Sequence, residues 1–96
     1  MRGLVGRWAT DPNDPATVAA FGWVTQEFTG DGRLIYTIHA EATDQIMFLR
    51  YRIEGDELVT DQDSSPREER TPFAIEHGTV LLLGRAPEVW RFLREA

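Results

Sequence analysis

From Phe21 to Thr60 the chain alternates apolar and polar positions with a period of two, the mark of half-buried β-strands. Leu34, Tyr36, Ile38 and Ala40 alternate with Arg33, Ile35, Thr37, His39 and Glu41. Met47, Leu49, Tyr51 and Ile53 alternate with Ile46, Phe48, Arg50 and Arg52. Between the two runs, Ala42-Thr43-Asp44-Gln45 carries turn-type residues at its centre. A loop of Thr43 and Asp44, or a longer loop in the same register, sets Ala40 opposite Met47 and Ile38 opposite Leu49. It also sets Tyr36 opposite Tyr51 and Leu34 opposite Ile53. Every pair on that side is apolar or aromatic, so it is a core face.

The flanking turns agree. Glu54-Gly55-Asp56-Glu57 is a hairpin turn with Gly where positive φ is cheap, placing Ile53 opposite Leu58, Tyr51 opposite Thr60 and Arg50 opposite Asp61. Gly30-Asp31-Gly32 pairs Phe28 with Leu34, Gln26 with Tyr36 and Val24 with Ile38. His77-Gly78 reads as a two-residue turn that sets Ile75 opposite Val80 and Phe73 opposite Leu82. The pattern predicts eight strands, near 4–9, 21–29, 33–42, 45–54, 57–62, 70–76, 79–84 and 88–94. Asp14-Pro15 is a good N-cap and first helical residue, allowing at most one short helical turn near 14–20. Asp63 to Arg70 is the most polar segment and reads as a solvated loop, or as a charged docking site. Nearly every connection is a hairpin. An up-and-down, antiparallel, all-β meander of this size favours closure into a barrel, because closure removes exposed edges.

Composition narrows the function classes. The 96 residues make one domain, 1–96, and 42% hydrophobic content supports an ordinary core. The chain has no cysteine, hence no disulfide or thiolate metal site, and fits a reducing, cytoplasmic setting. A formal net charge of −6 argues against nucleic-acid binding. There is no apolar run long enough for a membrane helix or a signal peptide.

Three short features then line up. Gly6-Arg7-Trp8 sits in the first strand, Tyr51-Arg52-Ile53-Glu54-Gly55-Asp56-Glu57-Leu58 spans a mid-chain hairpin, and Phe92-Leu93-Arg94 ends the last strand. Together they resemble the small bacterial lipocalin-like domains, relatives of the calycin barrels. The resemblance implies a lipocalin-like barrel with Trp8 at its closed end. It implies that Arg94, or Arg91, packs across that indole as a cation–π partner. It also implies ligand binding, that family's usual activity.

The residues themselves offer two places for binding. The core face carries apolar residues from Leu4 to Phe92, with polar groups among them. Either side chains fill the barrel, or it keeps a narrow lumen for a small apolar or amphipathic ligand. In the latter case Gln26, Tyr36 and Tyr51 supply orienting hydrogen bonds, with Arg94 a further lumen candidate. The outer face is unexpectedly apolar: Phe21, Trp23, Ile35, Ile46 and Phe48 surround His39. Three covers are open: the Pro12–Ala20 segment folded over the patch, a second copy in a homodimer, or another protein. Catalysis and metal binding find little support. His39 with Glu41 falls short of a zinc set. Ser64 and Ser65 lack a nucleophile-elbow context, and Glu68-Glu69 lie in a solvated stretch. No cofactor is expected.

Overall fold

Alternation becomes a ring of strands in the computed structural model, which describes residues 3–62 and 67–95. The elements are β1 (Gly6–Thr10), α1 (Pro15–Phe21), β2 (Val24–Phe28), β3 (Arg33–Ile38) and β4 (Gln45–Glu54). They continue with β5 (Glu57–Asp61), β6 (Glu69–Glu76), β7 (Val80–Arg85) and β8 (Glu88–Arg94). Each strand pairs antiparallel with the next, and β1 pairs with β8, so the eight strands form a closed up-and-down barrel. Part of the polar segment, Asp63 to Pro66, lies outside the described residues.

Strict alternation sends every second connection to the same end. One end gathers the start of the chain and the turns at 29–32, 55–56 and 77–79. The other gathers α1, the loop 39–44, the end of β5, the start of β6, and the turn at Ala86-Pro87.

Two of the predicted hairpins have the expected register. Val24, Gln26 and Phe28 face Ile38, Tyr36 and Leu34, and Arg50, Tyr51 and Ile53 face Asp61, Thr60 and Leu58. The β3–β4 pairing differs. Ile38 faces Gln45, Tyr36 faces Met47 and Leu34 faces Leu49, so Tyr36 and Tyr51 are not partners. Residues 39–44 form the whole loop, and β3 stops at Ile38 rather than near residue 42. Thr43-Asp44 lacks the glycine that a tight hairpin wants. Asp44 instead reaches His39, with Oδ2 at 3.3 Å from Nδ1. The displacement is even, so the inward and outward sets survive it.

The β6–β7 register moves by one residue, and there the faces do invert. Glu76 pairs with Val80, Ile75 with Leu81 and Phe73 with Leu83. His77 and Gly78 both take positive φ, at 53° and 71°, and Thr79 N–H closes the turn on the Glu76 carbonyl at 3.0 Å. The loop thus has three residues, and Leu81 and Leu83 are buried in place of Val80 and Leu82. Ile53, expected in the core, is 49% exposed where β4 runs past the closed end. Phe21, expected to open the second strand, ends α1. Gly22 at φ 67° stops that helix.

The closed end is built around Trp8, which is fully buried. Its Nε1–H donates to the Leu4 carbonyl at 2.9 Å. The Arg94 guanidinium lies 4.1 Å from the indole centroid, as the resemblance implied for one of two arginines. Its nitrogens also donate to the carbonyls of Gly78 (2.7 Å), Val5 (2.9 Å) and Gly3 (2.5 Å). Gly6 makes room for this reach. It sits at φ 138°, and a Cβ there would collide with Arg94 Nη1. Leu4, Phe28, Leu34, Leu58, Leu81 and Phe92 pack with it in one core.

On the outer wall Arg52 and Arg70 bind Glu54, at 2.5 and 2.8 Å, and Arg52 also reaches Glu68 at 3.0 Å. Hydrogen bonds from Arg70, then Arg52, hold the Glu54 carboxyl below the usual range. These exposed pairs contribute little individually, but the same two arginines flank Val59 in register, and Val59 is buried although it faces outward.

Replacing Arg94 with Met removes the ring contact and three donors while keeping the stem. Urea unfolding is expected to show a loss of about 2–4 kcal/mol, with Arg94→Lys recovering only part of it.

Candidate functional site

Above the plug, inward side chains leave a cup open at the end that carries α1. Its volume is about 360 Å³, at the low end of the range for small-molecule sites. Leu34, Leu49, Leu58 and Leu83 form its apolar wall, Phe21, Tyr36 and Trp90 give it aromatic surface, and Met47 adds a flexible side chain. The polar lining is Gln26, Thr60, Thr71 and Glu69. A neighbouring recess shares Leu49, Thr60 and Glu69 and extends the rim toward Gln62 and Arg67. A depression of similar volume on the outer wall is lined by Asp31, Arg50, Arg52 and Asp61 with Tyr51 and Val59 among them, and it is more open to solvent than the cup.

The helix shapes the mouth. Thr17 is buried and ties α1 to β8. Its Oγ1 accepts the Arg91 N–H at 2.8 Å and donates to Asp14 Oδ2 at 2.5 Å. Arg91 also pairs with the buried Asp11 at 3.3 Å. Phe21 then meets Trp90 and Phe92 edge to face, at centroid separations of 5.7 and 5.3 Å. The Pro12–Ala20 segment therefore packs on the β1–β8 side and does not cover the outer patch of β2–β4.

Of the four lumen candidates, the structure brings two to the cup. Gln26 stands on β2 between Trp8 and Tyr36. It is 97% buried, and its Nε2 has no hydrogen-bond partner among the described residues. Tyr36 is half-buried, and that burial raises its phenol above the ordinary value of 10.0. Tyr51 lies lower in the barrel. Its hydroxyl donates to the Thr29 carbonyl at 2.6 Å and its ring packs edge to face on Phe28. Arg94 is committed to the plug. Phe21, assigned to the outer patch from the sequence, belongs to the cup.

The remaining patch residues do share one face. Trp23, Ile46 and Phe48 are 51%, 55% and 65% exposed, and Ile35 and His39 are partly buried beside them. His39 N–H donates to the Trp23 carbonyl at 2.8 Å, and its Nε2 lies 3.0 Å from Thr25 Oγ1. The corrected register places Phe48 opposite Ile35, and Ile46 opposite Thr37, rather than placing them beside His39 and Glu41. Thr25-His39-Asp44 has the order of a nucleophile, base and orienting acid, yet the Thr25 side chain is buried on a strand, closed to a substrate.

The residues missed from the sequence are Glu69 and the helix-borne Phe21. Period-two parity within the longer β6 would have turned Glu69 inward with Thr71. Comparison with protein-family models, curated proteins and solved structures returns no match.

Two outcomes test this geometry. A buried donor without a partner costs about 1–3 kcal/mol, so Gln26→Leu is expected to raise stability by roughly 1 kcal/mol in thermal or urea unfolding. The chain has two tyrosines, and both phenols sit above 10.0: Tyr36 by burial, Tyr51 by burial and then by the charge of Asp31. Their neutral forms are the ones the fold accommodates. This stability is full below the unfolded value and is lost as pH rises through the raised folded values. Ultraviolet titration is expected to find the folded protein less than half ionised at pH 10, where urea-unfolded chain is half ionised.

Proposed function

We propose that this protein binds a small amphipathic molecule in the cup of its barrel and carries out no chemistry on it. The observation that carries the reading is Gln26. A 97% buried amide whose Nε2 has no partner among the described residues lines a cavity whose wall is otherwise mostly apolar. Buried polar groups are normally satisfied, and an exception calls for an explanation. A ligand oxygen that accepts from Gln26 is the explanation in keeping with the cavity around it.

The rest of the lining sets the ligand class. Leucine side chains and three aromatic rings favour an alkyl or aromatic body of modest size. Tyr36, whose phenol burial shifts further upward, is a further donor. Glu69 is the charged group lining the cup, at its exposed rim. A neutral or cationic head is favoured there over a carboxylate. The closed barrel with Trp8 beneath Arg94 is also in keeping with kinship to the lipocalin-like domains, whose members hold apolar ligands in such a lumen.

Isothermal titration with 1-octanol, octylamine and octanoate tests this. The alcohol and the amine are expected to bind with saturable heat and a negative heat-capacity change. Octanoate is expected to bind more weakly, and Glu69→Gln to narrow that difference. Leu49→Trp fills the cup and is expected to abolish binding without unfolding the barrel. Absence of binding across the series, or binding indifferent to Leu49→Trp, contradicts the reading.

A further inference from the structure

We propose, on the reading of the cup as a binding site, that its occupant has two polar ends: an acceptor oxygen at the inner end and a cation at the rim, with an apolar chain between. The polar lining is placed at two separate poles. Gln26 stands on β2 and Glu69 on β6, halfway round a closed ring of eight strands and so on facing walls. They also differ in depth. Gln26 is 97% buried and pairs with Trp8 of the plug and with Tyr36. Glu69 is exposed and opens β6 opposite Thr60, at the end that carries α1. The strands between the two, β3 to β5, bring Leu34, Met47, Leu49 and Leu58 to the cup. A compact head group placed at either pole leaves the other unanswered.

The poles call for different chemistry. Gln26 Nε2 is a donor without a partner among the described residues, so an oxygen that accepts is its match. An ammonium group has only donors, and burying its charge there is costly. It belongs at the rim, where water still reaches and where the Glu69 carboxylate forms no ion pair among the described residues. The charges beside Glu69 are otherwise disposed. Glu68 and Arg70 are engaged on the outer wall with Arg52 and Glu54, and Arg67 lines the adjoining recess rather than the cup. The chain's net charge of −6 also draws a cation toward the mouth. Methylenes between the two ends cover the leucine wall.

Four probes share one alkyl chain and differ only at its ends: 8-amino-1-octanol, octylamine, 1-octanol and 8-hydroxyoctanoate. Isothermal titration is expected to rank the amino alcohol first, at least roughly tenfold tighter than octylamine. Without the inner contact the order reverses, because the added hydroxyl is then buried without a partner. Gln26→Leu is accordingly expected to invert that order. Glu69→Gln is expected to bring the amino alcohol down toward 1-octanol while it stays ahead of octylamine. Circular dichroism checks that each variant is folded. Three results overturn the two-ended occupant while leaving the cup a binding site: octylamine binding as tightly as the amino alcohol, a preference that survives Gln26→Leu, or tightest binding by hydroxyoctanoate. Binding of none of the four overturns both.

Discussion

The contact of Arg94 with Trp8 is the constraint on which the barrel rests. A guanidinium held 4.1 Å over the indole, and spent on the carbonyls of Gly3, Val5 and Gly78, joins the two ends of the chain to the turn between β6 and β7. That brings β1 against β8, and the sheet has no free edge. It also fills one end of the barrel with a large ring and a paired cation. The lumen therefore opens at one end only, and the inward residues above the plug have a floor beneath them. Gly6 belongs to the same device, because only a residue without Cβ lets Arg94 pass.

Much of this was legible in the alternation of the chain. Eight strands, their order and the hairpin logic follow from period-two runs and glycine turns, and two registers came out as built because Gly32 and Gly55 fix their turns. The failures are local and have causes. Thr43-Asp44 has no strong turn preference, so a His39–Asp44 contact, invisible to pattern, decides where β3 ends. His77-Gly78 takes two positive φ values, as read, yet the loop includes Thr79, and one residue suffices to turn β7 over. Phe21 reads equally well as the first residue of a strand or the last of an amphipathic turn. Only the tertiary contact with Trp90 and Phe92 settles it as helical.

The same causes explain how far the site could be read. Gln26 and Tyr36 were found because the β2–β3 register was sound. Tyr51 was grouped with them through the β3–β4 register, and correcting that by two pairs moves it down toward the plug. The cup's remaining lining comes from every strand from β3 to β8 and from the helix, which meet only when the barrel closes. Short-range pattern carries no such information. Within that lining, local consistency fails at one point, the buried amide of Gln26. Departures of this kind are where function is expected to reside, and the helix clamps the mouth above it without plugging it.

The most direct test is a ¹H–¹⁵N correlation spectrum of the protein titrated with 1-octanol. The three tryptophans stand at three depths: Trp8 in the plug, Trp90 in the cup and Trp23 on the outer wall. Binding in the cup predicts saturable shifts of the Gln26 side-chain amide and the Trp90 indole N–H, while the Trp8 indole, held on the Leu4 carbonyl, moves little and Trp23 does not move. Shifts confined to Trp23, or a Gln26 amide that stays still at saturation, would contradict it.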